Sequence, residues 1–312
     1  MGPALRPITL GDWALLGLLG ILWSGSYIFV AIAVREVPPF TLVFVRVSLA
    51  ALLLWLVAAA SGAAFPRQAR TWAALALGGF LNCAVPFVLL FWGQQHLPAS
   101  LAAILISTGP LLTIVCAHFL TRDEPMNAQK VIGVSVGLVG AAVLIGLDAL
   151  SDFGVQSLAE LAVLGAALCY ALAAVVSRQF AGQPPIVTAV GQLATSALVI
   201  LPAALIVDRP WHMPLPGAAG LGATAGLTLF STALAYIVFF RLLRNIGAGN
   251  AMLVSFLTPV GASILGTALL GEHLEAHNVA GMVLIFAGFA VIDGRLLSWL
   301  AGLRPDRRGT RA

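Results

Sequence analysis

The residues of this chain that could bind or react are few, and most stand inside long apolar runs. Arg46 is the one charge deep in such a run, about seven residues or roughly 10 Å from its start. A guanidinium at that depth needs a partner or water. It can attract a substrate carboxylate, break and remake a gating ion pair with Glu36 or Glu272, or snorkel outward. Polar, aromatic and proline residues occupy other runs: Trp23, Ser24 and Tyr27; Asn82 with Pro86 one turn on; Ser107 and Pro110; Tyr170; Ser255 and Pro259. Thr228, Thr232 and Tyr236 recur at i, i+4 and i+8, one stripe of a helix. Singly, each suits helix packing. Together they make a cavity that stacks an apolar or aromatic side chain and hydrogen-bonds a polar head.

Other chemistries find less support. Ser107 and His118 are eleven residues apart, about 16 Å of helical rise, too far for proton transfer, and no aspartate falls at mid-run, so an intramembrane enzyme is disfavoured. His118 is the one imidazole inside a run and the candidate for proton coupling, although near the run's end it reads as a packed or hydrated side chain. In GEHLEAHN, His273 and His277 could clasp a metal from one helix face, yet the order is not HExxH and the segment reads as a solvated loop. Cys83, Cys116 and Cys169 lack disulfide or metal spacing and read as small buried hydrophobes. No cofactor or metal is expected.

The elements that must position these residues follow from composition. The chain is 60% hydrophobic and 9% charged, with a mean hydropathy of +1.02, whereas soluble domains are about a quarter charged. It is expected to be an all-α integral membrane protein with ten transmembrane helices, at 13–34, 39–60, 71–93, 98–121, 129–147, 161–180, 186–207, 217–240, 249–271 and 276–293. The first run is followed by REVPPF, not by a small-residue cleavage site, so it is expected to stay as a span. MGPALR lacks a myristoylation signal. With the N-terminus inside, Arg6, Arg67, Arg70, Arg122, Lys130, Arg178, Arg241, Arg244 and the arginines of the tail fall on the cytoplasmic side, and only Arg35 and Arg209 fall outside. That bias supports ten spans with both termini cytoplasmic. The net charge of +4 and the tail RPDRRGTRA then report topology and anionic-lipid contact, not nucleic acid.

The chain also matches itself. A slide of about 148 residues lays ISTGPLLTI on SFLTPVGAS, so Pro110 meets Pro259; Glu124 then meets Glu272, Gly133 meets Gly281 and Gly140 meets Gly288. Upstream, VPPF meets QPPI at a shift of 146, which pairs Arg46 with neutral Gln192. Five spans per half is an odd number, so the halves are expected to be inverted repeats, residues 1–148 and 149–294, followed by a basic cytoplasmic tail at 295–312. Pro110 and Pro259 should break their helices at matched depth, freeing the carbonyls of Ile106 and Ser255 toward a central cavity. Glu124 and Glu272 end their helices on opposite sides and are gating candidates. Gly133, Gly137, Gly140, Gly281 and Gly288 form rows for close helix packing.

WSGSYIF in the first span, PPFTLVFVR entering the second, and a mid-span proline with a terminal Glu in the fourth and ninth together resemble the drug/metabolite transporter superfamily, EamA type, over residues 13–293. The resemblance implies a carrier of the bacterial inner membrane, many of whose relatives export amino acids or related metabolites. It implies a cavity lined by spans 1, 3, 4, 6, 8 and 9, with 5 and 10 peripheral, and a small-molecule substrate handled by a monomer among membrane lipids. The small multidrug pumps of that superfamily carry a carboxylate in their first helix. ALLGLLGILW has none, so a neutral, zwitterionic or anionic metabolite fits better than a cationic drug. No charged ring or carbonyl filter favours a channel.

Overall fold

The computed structural model describes residues 9–121, 126–145, 154–180 and 182–293. Glu124 and the tail lie outside them. The described residues form ten apolar helices and no strand: α1 (Leu10–Ala33), α2 (Pro39–Ala60), α3 (Ala69–Gly93), α4 (Ala99–Leu120), α5 (Ala128–Ile145), α6 (Val155–Phe180), α7 (Pro185–Asp208), α8 (Ala218–Gly247), α9 (Val254–Leu270) and α10 (Ala276–Ile292). Eight are long enough to cross a bilayer, and α9 and α10 are shorter. The outer faces carry exposed Leu18, Ile21, Leu52, Val139, Leu198 and Ile264, a surface suited to lipid and not to water. The chain is a multi-pass membrane protein.

Local chemistry sets the helix ends. Thr9 caps α1 in a capping box: its Oγ1 accepts from the Asp12 amide and the Asp12 carboxylate accepts from the Thr9 amide. Prolines open α2 and α7, where a missing N–H costs nothing. Gly271 closes α9 in the left-handed region at φ 68°.

Helices pair as follows: α2 lies along α7, α5 along α10, α1 against α8 and α9, and α6 against α3 and α4. The α5–α10 crossing is so close that a Cβ on Gly140 would sit 2.9 Å from the Gly281 carbonyl, and one on Gly288 would meet the Gly133 carbonyl at 2.5 Å. Hydrogen bonds gather two ends of the bundle. At one end Glu36 accepts from the Gly217 amide, Asp208 from Thr41, and Glu272 from Ala99 and Ser100. At the other, Asn245 donates to Asp12.

The proline breaks differ from expectation. In α4 the interruption falls at Ser107–Thr108, and Pro110 opens the second half, where it displaces no bond. The hydroxyls of Ser107 and Thr108 stitch the gap by donating to the carbonyls of Ile104 and Leu105 at 2.6 and 2.8 Å. Ahead of α9 the turn falls at Met252–Leu253, and Pro259 lies inside continuous helix. The breaks are therefore offset by about a turn relative to the two prolines. Glycine explains the offset: Gly247, at φ 76°, turns the chain before α9, a role that Pro98 takes before α4.

Candidate functional site

The densest polar cluster inside the bundle forms around Arg46 on α2, which is 6% exposed. Its Nε donates to the Thr232 Oγ1 of α8 at 3.0 Å, and its guanidinium carbon lies 3.9 Å from the ring centroid of Phe87 and 5.6 Å from that of Phe91, both on α3. Such stacking stabilises a desolvated cation. Tyr27 of α1, Cys83 of α3, Tyr170 of α6 and Tyr236 of α8 are its electrostatic neighbours. Asn82 donates to the Gln192 side chain of α7 at 3.2 Å, and Tyr236 lies beside Asn82 and the Cys83 thiol, which in turn faces Ser196. Six helices contribute to this layer.

Two π-helical turns build it, Phe80–Ala84 in α3 and Leu229–Leu234 in α8. Each inserts a residue into the α register, turning side chains that would be a quarter-turn apart toward a common face. Thr232 uses the insertion: its Oγ1 donates to the Leu227 carbonyl five residues back, at 2.8 Å, while accepting from Arg46. Ser231, 2% exposed in the same turn, has no hydrogen-bond partner for its Oγ.

Tyr27, Arg46, Asn82, Tyr170, Thr232 and Tyr236 thus come together. The remaining sequence candidates do not join them. Ser24 Oγ donates to the Thr258 carbonyl at 3.0 Å, where α1 crosses α9 one residue before buried Pro259, and Ser255 lies half-buried a turn away. Trp23 packs against Phe239, with the rings tilted and their centroids 5.4 Å apart. Pro86 is buried just after the α3 π-turn, and Ser107 and Pro110 belong to the α4 break. Glu272 makes no ion pair with Arg46; it caps α4, where a carboxylate meets free amides and the positive end of the helix dipole. His118 accepts from the Met126 amide through Nδ1, at 3.2 Å.

Two cavities open at opposite ends of the bundle. One of about 500 Å³ is lined by Arg35, Gln94, His96, Leu270 and Glu272, and another of about 360 Å³ lies between Thr9, Asp12, Arg241 and Asn245 at the opposite end. Gln94 connects the first to the Arg46 layer: its Nε2 donates to the Tyr27 carbonyl at 2.9 Å, and its Oε1 is buried without a partner.

Sequence reading missed several members. Phe87 and Phe91 stand i, i+4 beyond Asn82, an aromatic pair spaced to flank a cation, and that was the available signal. The sixth span expected at 161–180 begins one residue after Glu160. α6 starts at Val155, so Glu160 is intrahelical, 3% exposed, with Oε2 unpartnered.

Comparison with known proteins agrees with this architecture. The EamA-like transporter family matches residues 11–146 and again 157–293. The chain belongs to the EamA-like transporter family, and carries its unit twice. Among its relatives are the uncharacterised inner membrane transporter YedA of Escherichia coli (strain K12), 26% identical over 89% of this chain and 90% of that protein. Protein PecM of Dickeya dadantii (strain 3937) is 28% identical over 87% of this chain and 89% of its own length. A solved crystal structure superposes with a TM-score of 0.64 at 22% identity, covering 94% of this chain and 99% of that one, a likeness of fold.

Proposed function

We propose that the protein is a secondary transporter of the bacterial inner membrane that exports a small amino acid or a related neutral or zwitterionic metabolite by alternating access. In this reading the two copies are inverted repeats, 1–148 and 149–294, with both termini cytoplasmic. The Glu272 end then faces outward and the Asp12 end inward.

The observation that carries the reading is reciprocity in the Arg46 layer. The π-turns of α3 and α8 stand 149 residues apart, at matching points of the two copies. α2 reaches the α8 turn through Arg46 and Thr232, and α7 reaches the α3 turn through Gln192 and Asn82. Arg46 and Gln192 are repeat mates. The same exchange relates Gly133–Gly288 to Gly140–Gly281. A two-fold axis in the membrane plane generates such crossed pairs. Swapping the conformations of equivalent halves then opens a site between them to each face in turn. The end cavities, separated by the Arg46 layer, suit such gating.

Purified protein in liposomes should show saturable counterflow with a member of a panel of amino acids, nucleosides and sugars, without product formation. Conductance that does not saturate, or turnover of a compound, would replace this reading with a channel or an enzyme.

A further inference from the structure

Resting on the carrier reading, we propose that the Arg46 guanidinium is the receptor for one carboxylate of the cargo, in a site that offers no counter-ion to an ammonium. This narrows the cargo proposed above to a compound with one carboxylate, amino acid or deaminated relative, and an apolar or aromatic body, in which an amino group adds nothing to binding.

Arg46 is a buried cation with unfilled donors. Of its five N–H groups, the one on Nε is satisfied by Thr232; the Nη groups have no hydrogen-bond partner among the described residues. Among the described residues no carboxylate lies beside it. The groups that surround it from α1, α3, α6 and α8 are Tyr27, Cys83, Phe87, Phe91, Tyr170 and Tyr236, all neutral at physiological pH. The carboxylates nearest in role are engaged at the bundle end: Glu36 with the Gly217 amide, Asp208 with Thr41, and Glu272 with the start of α4. A charge held in apolar surroundings without partner is strongly disfavoured, so the guanidinium calls for water or for a ligand, and a ligand that brings a negative charge and acceptors satisfies it most fully.

The chemistry of that ligand follows from the charge count and shape. A carboxylate is planar, accepts two parallel N–H bonds from the guanidinium fork, and cancels one charge with one. A phosphate dianion would leave a net negative charge against aromatic walls, where a second cation is missing among the described residues. An ammonium would be repelled by Arg46 and would find no carboxylate. Tyr27, Phe87, Tyr170 and Tyr236 give the guanidinium aromatic neighbours, surroundings suited to an apolar body.

The test uses the intact protein and four probes of one shape: 3-phenylpropionate, its amide, phenylalanine and phenethylamine. In wild type, 3-phenylpropionate should raise the melting temperature and compete in counterflow at least about tenfold better than the amide, the factor expected for a charge-assisted pair. Phenylalanine should be no better than 3-phenylpropionate, and phenethylamine inert. Arg46→Gln should equalise acid and amide, while Arg46→Lys keeps the acid preference at lower affinity because it lacks the fork. If wild type binds acid and amide equally, prefers the amine, or binds phenylalanine tenfold better than its deaminated analogue, the assignment is overturned. Saturable counterflow with no acid preference defeats the assignment and leaves the carrier standing. Acid-selective binding without counterflow of any probe defeats the carrier reading alone.

Discussion

Thr232 is the hinge of the Arg46 layer because one hydroxyl serves two buried partners, accepting from the guanidinium and donating to a carbonyl that the π-turn has left open. Thr232→Val preserves shape but leaves the Leu227 carbonyl and the Arg46 Nε–H unsatisfied, each costing about 1–3 kcal/mol when buried. The variant should melt lower in detergent and lose transport, whereas Thr232→Ser keeps both bonds and should retain most activity. Equal behaviour of the two variants would show that the hydroxyl is not holding Arg46. Ser24 plays a smaller part of the same kind: Ser24→Ala gives up the bond to the Thr258 carbonyl, worth about 1 kcal/mol, and should loosen α1 from α9 with little change in substrate preference.

At the scale of helices, the α5–α10 crossing depends on backbone reaching backbone. A methyl on Gly140 meets the Ile285 amide nitrogen at 2.8 Å and the Gly281 carbonyl at 2.9 Å, atoms that cannot swing aside. Gly140→Ala should therefore destabilise by about 1–3 kcal/mol, read as a lower melting temperature, while counterflow per folded molecule stays near wild type because the pair stands away from the Arg46 layer. Pro259 is the opposite case. It interrupts no helix, so Pro259→Ala restores a missing N–H and should raise stability, since an internal proline costs about 3 kcal/mol. A fall in transport alongside that gain would mark the proline as part of the moving machinery; unchanged transport would reduce it to packing. These two elements show what could be read in the sequence. Apolar runs gave ten helices, and glycine spacing gave close-packing rows on α5 and α10, because both depend on residue type alone; that the two rows meet each other is a finding of the structure. The π-turns of α3 and α8 and the turn at Met252–Leu253 depend on which neighbouring helix fills an open carbonyl, and no local pattern in FLNCA or LFSTAL announces it. Hence Tyr236, Thr232 and Asn82 could be nominated from the sequence, while their convergence on Arg46, with Phe87 beneath it, could not.

For the whole molecule, the three carboxylates at one bundle end share a geometry: each comes from one copy of the repeat and binds amides at a helix start in the other. Glu36 reaches the residue capping α8, Asp208 the first turn of α2, and Glu272 the first turn of α4. Such bonds join the copies through fixed dipoles and tie helix starts together at this end. In the proposed alternating-access cycle, opening this end would separate residue 272 from residue 99. In a background with Cys83, Cys116 and Cys169 replaced by serine, cysteines at positions 99 and 272 bridged by a short bis-methanethiosulfonate reagent should abolish counterflow, and reduction should restore it. Binding of 3-phenylpropionate from the opposite, Asp12 end should survive the bridge, because that end remains free to open. Full transport by the bridged protein would mean that the Glu272 end is a static lid, and that cargo passes the Arg46 layer by another route.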